Sequence, residues 1–221
     1  MPNGLIQLES DIIACQQCPR LRDHCRYIAQ VKRRAYQDDQ YWAQPVPGFG
    51  DPRARLFILG LAPGAHGANR TGRVFTGDRS GDWLYRALHQ TGFANQPTST
   101  HRYDGLTLND CWVSASVRCA PPDNKPTPAE VLVCRSWLER ELQLMPQIRV
   151  VVALGRLAFD NYLTLRGLPR AAFHFAHNQP HDAGLTLISS YHPSQQNTST
   201  GKLTEPMLKA VFDRAREILH S

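Results

Sequence analysis

The chain has 221 residues, with 25 Lys and Arg against 19 Asp and Glu and a further nine His. That length suits one domain built around one sizeable α/β core, and a formal charge of +6 favours a polyanionic partner. The composition holds no internal repeat, no low-complexity tract and no apolar run long enough to span a bilayer as a helix, which excludes repeat architectures and membrane-spanning helices.

The opening stretch MPNGLIQLESDIIACQQC has neither a basic leader nor a continuous apolar segment, so a cytoplasmic protein is expected. In a reducing compartment six cysteines make a poor disulfide framework, and ligation of a metal or cluster gains weight. Cys15 and Cys18 form a C-x2-C pair, while Cys119 and Cys134 stand fourteen residues apart. Four thiolates from two separated places can close around one zinc ion or one iron-sulfur cluster, and spacing alone leaves both open. Cys25 follows the first pair closely enough to be a further candidate, and Cys111 reads as a small buried hydrophobe before a strand.

Residues 37–54 are rich in Pro, Gly and Asp and predict a loop, as do residues 177–184. Four β-branched apolar runs predict buried strands at 55–60, 112–117, 149–155 and 185–191. Between them, Trp83, Leu84, Ala87 and Leu88 share a helical face, and Thr127, Pro128 and Glu130 form a capping box with Pro at the first helical position. Met207, Leu208, Val211, Phe212, Ala215, Ile218 and Leu219 repeat at helical spacing behind Thr204. This alternation predicts a mostly parallel sheet between helices, with ligands at the carboxyl ends of its strands.

The chemistry concentrates after the first strand, in GLAPGAHGANRTGRVFTGD (60–78). Gly60, Gly64, Gly67 and Gly72 allow close backbone approach to a ligand. Neither G-x-x-x-x-G-K-[ST] nor G-x-G-x-x-G is present, so ordinary nucleotide binding loses its main support. The loop carries Asn69, Arg70, Arg73, Phe75 and Asp78, the last also placed to cap a helix. A second stretch, SYHPSQQNTSTGKLTEP (190–206), follows the last strand and brings His192 to the same sheet edge.

Taken together, GLAPGAHGANRTGRVFTGDRSGDWLY, HPS, CQQC, VRCAPPDNKPTPAE and Cys134 resemble the uracil-DNA glycosylase superfamily, and within it the iron-sulfur members of the family 5 type. The resemblance runs in order from Cys15 through the last helix. It implies a three-layer α/β/α fold with a central four-stranded parallel sheet, and a monomeric enzyme that flips uracil out of DNA and excises it. It also implies a structural 4Fe-4S cluster on Cys15, Cys18, Cys119 and Cys134, zinc being the alternative occupant.

Base excision needs a flipped nucleotide, a carboxylate beside the developing sugar cation and a donor beside the departing base. Asp78 is the candidate carboxylate, His192 the donor and Phe75 the stacking face, with Ala62, Pro63, Gly64 and Asn124 as further base contacts. A loop from Ser194 to Lys202 is expected to enter the minor groove, Gln195, Gln196 and Asn197 filling the vacated stack, and Arg70, Arg73, Lys202 and the KRR run at 32–34 are expected to meet phosphates. Family 4 relatives carry an acid where this chain has Leu61, and a base-reading Asn where it shows Ser114 and Ala115. Loss of that amide is expected to widen the range of bases toward hypoxanthine and xanthine. Two rivals remain at this point: a zinc- or cluster-stabilised nucleic-acid-binding module without glycosylase activity, and a hydrolase of free nucleotides.

Overall fold

The computed structural model describes residues 3–221. In chain order its elements are α1 (Asn3–Ile13), α2 (Pro19–Val31), β1 (Phe49–Gly50), β2 (Leu56–Gly60), α3 (Ala68–Thr71), α4 (Arg79–Gln90) and β3 (Cys111–Ala115). They continue with α5 (Pro128–Gln143), β4 (Val150–Leu154), α6 (Arg156–Leu165), β5 (Gln179–Asp182), β6 (Thr186–Ser190), α7 (Gln195–Ser199) and α8 (Glu205–His220).

Every residue of β2, β3 and β4 is buried, as expected of parallel strands covered on both faces. The sheet order is β1-β3-β2-β4-β6-β5, and the four inner strands run parallel. Successive β2 side chains face opposite layers. Phe57 and Leu59 join Leu8, Leu21, Leu138 and Phe159 in a core under α1, α2, α5 and α6. Leu56 and Ile58 join Leu84, Leu88, Val211 and Phe212 beneath α4 and α8. Because β3 lies on one side of β2 and β4 on the other, the winding reverses between β2 and β4, and a crevice opens at their carboxyl ends.

Local signals start the helices. Thr127 and Glu130 form the reciprocal capping box at α5, Thr204 caps α8, and Asp78 caps α4.

Three sequence expectations need correction. Residues 37–54 and 177–184 are not loops throughout, since β1 and β5 add antiparallel edges to the four-stranded core. Both edges are short and polar or glycine-containing, so they carry little apolar signal. The segment after His192 is also not a loop: Ser194 accepts a hydrogen bond from the Asn197 N–H and starts α7.

An ion pair with both side chains 1% exposed joins α5 to the end of β3. Arg118 Nη2 donates to Glu141 Oε2 at 2.6 Å, which also accepts from Ser114 Oγ at 2.6 Å, while Oε1 accepts from Trp112 Nε1 at 3.0 Å. Removing one partner of such a pair strands the other charge in a low-dielectric interior. Glu141→Ala is therefore expected to cost about 3–5 kcal/mol, read as a lower denaturant midpoint, with Glu141→Gln losing less because it keeps the side-chain volume and one acceptor oxygen.

Candidate active site

A cleft of about 920 Å³ occupies the crevice between β2 and β4. Leu61, Ala62, Pro63 and Gly64 form one wall directly after β2, and Ala115 closes the end of β3. Phe75 and Asp78 enter from the glycine-rich loop, and His192 from the end of β6. Asn124 stands at the exposed rim.

Asp78 serves two structures at once. Its Oδ1 accepts the Gly81 N–H at 3.0 Å and caps α4. Its Oδ2 lies against Gly67 so closely that a Cβ there would collide with it, which is why this position carries no side chain. Burial raises the Asp78 pKa, opposed by the N–H groups at the helix start.

Phe75 holds a left-handed backbone, φ +50°, an unusual conformation for a bulky residue. Its ring passes over the end of β2, and a Cβ at Gly60 would fall 2.7 Å from it. The ring centroid lies 5.9 Å from that of His192, tilted by 33°. Burial lowers the His192 pKa to about 4, so its imidazole is neutral near pH 7. Asn197 donates to the His192 carbonyl at 2.8 Å and fixes the turn that carries the ring. Asn124 and its neighbour Asp123 are also left-handed, at φ +56° and +53°.

The expected phosphate contacts divide. Arg73 is 3% exposed and ion-paired with Asp104, with further bonds to Thr76 and Ser99, so it is a structural clamp and does not meet solvent. Arg70 is spent as well: it pairs with Asp39, donates to the His66 and Gly77 carbonyls and stacks on Tyr36 at 3.9 Å. Asn197 is half-buried, with its amide turned to the His192 carbonyl. Gln195 and Gln196 are exposed on the cleft, and Lys202 is exposed over the Tyr191 ring. Of the KRR run, only Arg33 lines the cleft, while Lys32 bonds the Gln37 carbonyl.

Sequence reasoning missed Tyr36, His66, Arg79 and Leu157, all on the cleft wall or lip. Tyr41 Oη and His66 Nδ1 lie 2.9 Å apart, and burial with nearby Arg33 and Arg70 lowers the His66 pKa. A tyrosine reaching the site from beyond α2 leaves no local pattern. His66, however, stood inside the glycine-rich stretch.

None of the cysteines lines the cleft; Cys15, Cys18, Cys25, Cys119 and Cys134 lie in the core under α1, α2, α5 and α6, and Cys111 is buried in the core on the other face, as a small hydrophobe at the start of β3. Cys119 and Cys134 are buried, and Cys15 and Cys18 half-buried. Burial raises the Cys18 pKa and lifts Cys134 to about 12, with Cys119 contributing to both. Arg22 Nη1 lies 3.8 Å from Cys119 Sγ, and three guanidinium nitrogens, Arg22 Nε with Arg118 Nε and Nη1, are buried without partners. Two buried cations with spare N–H groups beside four thiols suit an anionic sulfur centre. Among the described residues no three Cys, His, Asp or Glu converge closely enough for a single metal ion. Cys25 is fully buried, donates to the Ala120 carbonyl at 3.7 Å and shares a hydrogen bond with Cys119.

A doubly wound sheet with a carboxylate and a neutral imidazole facing one switch-point cleft defines an α/β protein equipped for polar bond cleavage. The family model "Uracil DNA glycosylase superfamily" matches residues 47–216, and the chain belongs to that superfamily. It is 50% identical to the type-5 uracil-DNA glycosylase of Mycobacterium tuberculosis over 97% of this chain and 82% of that one. With the type-5 uracil-DNA glycosylase of Thermus thermophilus it shares 48% identity over 94% of both chains. Identity falls to 26% with the type-4 uracil-DNA glycosylase of Sulfurisphaera tokodaii, over 96% of this chain and 86% of that one. No helix among the described residues is long and apolar enough to cross a membrane.

The raised Asp78 pKa has a consequence for stability. The folded protein holds this proton more tightly than the unfolded chain, so the contribution is full below the ordinary value of 3.8 and lost as pH rises through the folded value. Asparagine caps helices as well as aspartate does. Asp78→Asn is expected to raise the melting temperature at pH 7, with the gain shrinking as pH falls toward 4, measured by thermal scans across that range.

Proposed function

We propose that this protein excises uracil from DNA by hydrolysing the N-glycosidic bond, the first step of base excision repair. The observation that carries the reading is the meeting of Asp78, His192 and Phe75 on one cleft. A chain that belongs to the superfamily and shares about half its residues with type-5 enzymes supports it.

The cleft suits a flipped nucleotide, because a base inside a duplex hides its glycosidic bond. Phe75 offers its ring to the extruded base, and the N–H groups of Ala62 and Gly64, on either side of Pro63, reach the base edge, with Asn124 closing from the rim. As the bond from C1′ to the base nitrogen breaks, its electron pair leaves with the base and positive charge grows on the sugar. The Asp78 carboxylate stabilises that cation and orients water on C1′; the water proton balances the departing anion. His192, neutral through burial, donates to the base carbonyl where negative charge develops.

The end of β3 favours a broad substrate range. Ser114 turns its hydroxyl to Glu141, and Ala115 faces the cleft with a methyl group. Leu61 places no acid beside the substrate. No side-chain amide on this strand rejects a purine, so hypoxanthine and xanthine fit the same reading.

Cys15, Cys18, Cys119 and Cys134 would hold a 4Fe-4S cluster, with Arg22 and Arg118 offsetting its charge. When bound, it supplies structure and no step of the reaction, tying the start of α2 to the β3–α5 segment. Zinc is the weaker fit, since tetrahedral thiolates around it sit only about 4 Å apart. The protein works on DNA without a membrane, as a cytoplasmic monomer of one domain.

Wild type is expected to release uracil from a U·G duplex, with Asp78→Asn and His192→Ala each about a hundredfold slower or worse. The wild-type kcat/KM should fall on the acid side as Asp78 is protonated, above the ordinary carboxylate value, and show no inflection at 6.5, the ordinary imidazole value, because burial keeps His192 neutral there. Undiminished release by Asp78→Asn would move the sugar-side charge elsewhere. Anaerobically purified protein should be brown, with equal iron and sulfide, and Cys134→Ser colourless; a colourless wild type containing zinc would overturn the cluster.

A further inference from the structure

The backbone around His192 is held group by group. The Gly155 N–H donates to the Ser190 carbonyl at 2.8 Å, the Ser190 hydroxyl to the Tyr191 carbonyl at 2.9 Å, and the Asn197 amide to the His192 carbonyl at 2.8 Å. The Tyr191 N–H is bound from further away. It donates to Nδ1 of His177, fourteen residues earlier and ahead of β5, at 3.2 Å. An imidazole nitrogen that accepts is bare, so the proton of the neutral ring sits on Nε2 and is donated to the Met207 carbonyl, in the first turn of α8, at 3.2 Å. Burial lowers the His177 pKa against the pull of that carbonyl, which keeps the ring neutral near pH 7. The same ring stacks on Tyr191, with centroids 5.0 Å apart and planes inclined by 29°. His177 is locked in turn by its neighbour: Asn178 is left-handed at φ +57°, donates its N–H to the Ser189 carbonyl at 2.7 Å and receives Arg214 on its own carbonyl at 2.8 Å.

We propose that His177 is a positioning residue for base excision, clamping the Tyr191–His192 turn to the start of α8 so that the His192 ring meets the departing base at a fixed point. The inference rests on the glycosylase reading above and goes beyond it, because His177 does not itself line the cleft. Negative charge builds on the base carbonyl only as the glycosidic bond breaks, so a donor slightly displaced loses more in the transition state than in the bound complex. The two hydrogen bonds of His177 divide the work. The one to Met207 ties down α8, and the one from the Tyr191 N–H acts on the residue that carries His192. They can be separated by substitution, since the Oδ1 of an asparagine stands near the place of Nδ1 and the amide nitrogen of a glutamine near the place of Nε2.

The test measures single-turnover uracil release from a U·G duplex by wild type, His177→Ala, His177→Asn and His177→Gln, each first checked for the native fold by circular dichroism. His177→Ala should lower the maximal rate about tenfold or more, with the half-saturating enzyme concentration nearly unchanged. His177→Asn should recover most of the rate, because it restores an acceptor for the Tyr191 N–H. His177→Gln keeps only the donor to Met207 and should not. In a His192→Ala background, His177→Ala should slow release no further, since a residue that acts through His192 has nothing left to position. 5-Fluorouracil leaves as a more stable anion and needs the donor less, so the loss in His177→Ala should shrink with that base. If His177→Ala does not fold, the asparagine and glutamine variants carry the comparison. Undiminished release by His177→Ala, rescue by Gln and not by Asn, a loss that persists in full without His192, or a loss confined to half-saturation overturns His177 as a positioning residue. Absence of uracil release by wild type overturns the glycosylase reading, and this proposal with it.

Discussion

One buried carboxylate, Glu141, sets the arrangement on which the cleft and the cysteine-bearing side of the sheet both depend. It receives Trp112 and Ser114 from β3 and Arg118 from just beyond it, so a single side chain fixes the height of α5 against the strand. A charge in that position is favourable only with its partners in place, which makes the docking close to all-or-none. Its outcome is seen at both ends. Ala115 is delivered to the cleft, and Arg118, with two guanidinium nitrogens left without partners, is held near Cys134. Gly48 is part of the same constraint, because a Cβ there would strike Glu141 and the Trp112 indole.

The cleft applies the opposite strategy. Instead of neutralising buried charge, it keeps a carboxylate ionisable at a helix N-terminus and holds an imidazole neutral by burying it. These states answer two demands of glycosidic cleavage, a negative group beside the sugar and an uncharged donor beside the base. Burial alone would suppress the Asp78 charge; the Gly81 N–H and the start of α4 oppose it. In the proposed reaction the capping role and the chemical role of Asp78 are one role. The geometry that satisfies the helix also supplies the dipole that sustains the anion.

Much of this was legible in the residues, for reasons that differ by element. The inner strands announce themselves because burial on both faces forces continuous apolar runs, and α5 and α8 because their caps are local. The edges β1 and β5 were not legible, since two to four polar or glycine-containing residues in pairing depend on a neighbour that local pattern does not show. Asp78, His192 and Phe75 were singled out from the sequence, and one cleft brings them together. Arg73 misled because an arginine in a polar loop looks exposed; only the fold reveals that Asp104, thirty-one residues later, returns to pair with it. Leu157 was invisible for the converse reason, as a leucine in a helical pattern reads as core.

The fate of the loop arginines bears on how a basic protein meets DNA. Arg70 and Arg73 spend their charge inside the molecule, holding the glycine-rich turn in the shape that carries Phe75 and Asp78. Positive charge offered outward near the cleft comes instead from Arg33 and Arg79 at its wall and from Lys202 above Tyr191. The first group makes the turn rigid, and a rigid turn limits the reorganisation needed when charge develops in the cleft. The second group is solvated and screened by salt, which suits the search along DNA and adds little to the chemistry once a base is bound. Separating the two lets the net charge of +6 serve encounter while the site itself is built from dipoles, one carboxylate and a neutral ring.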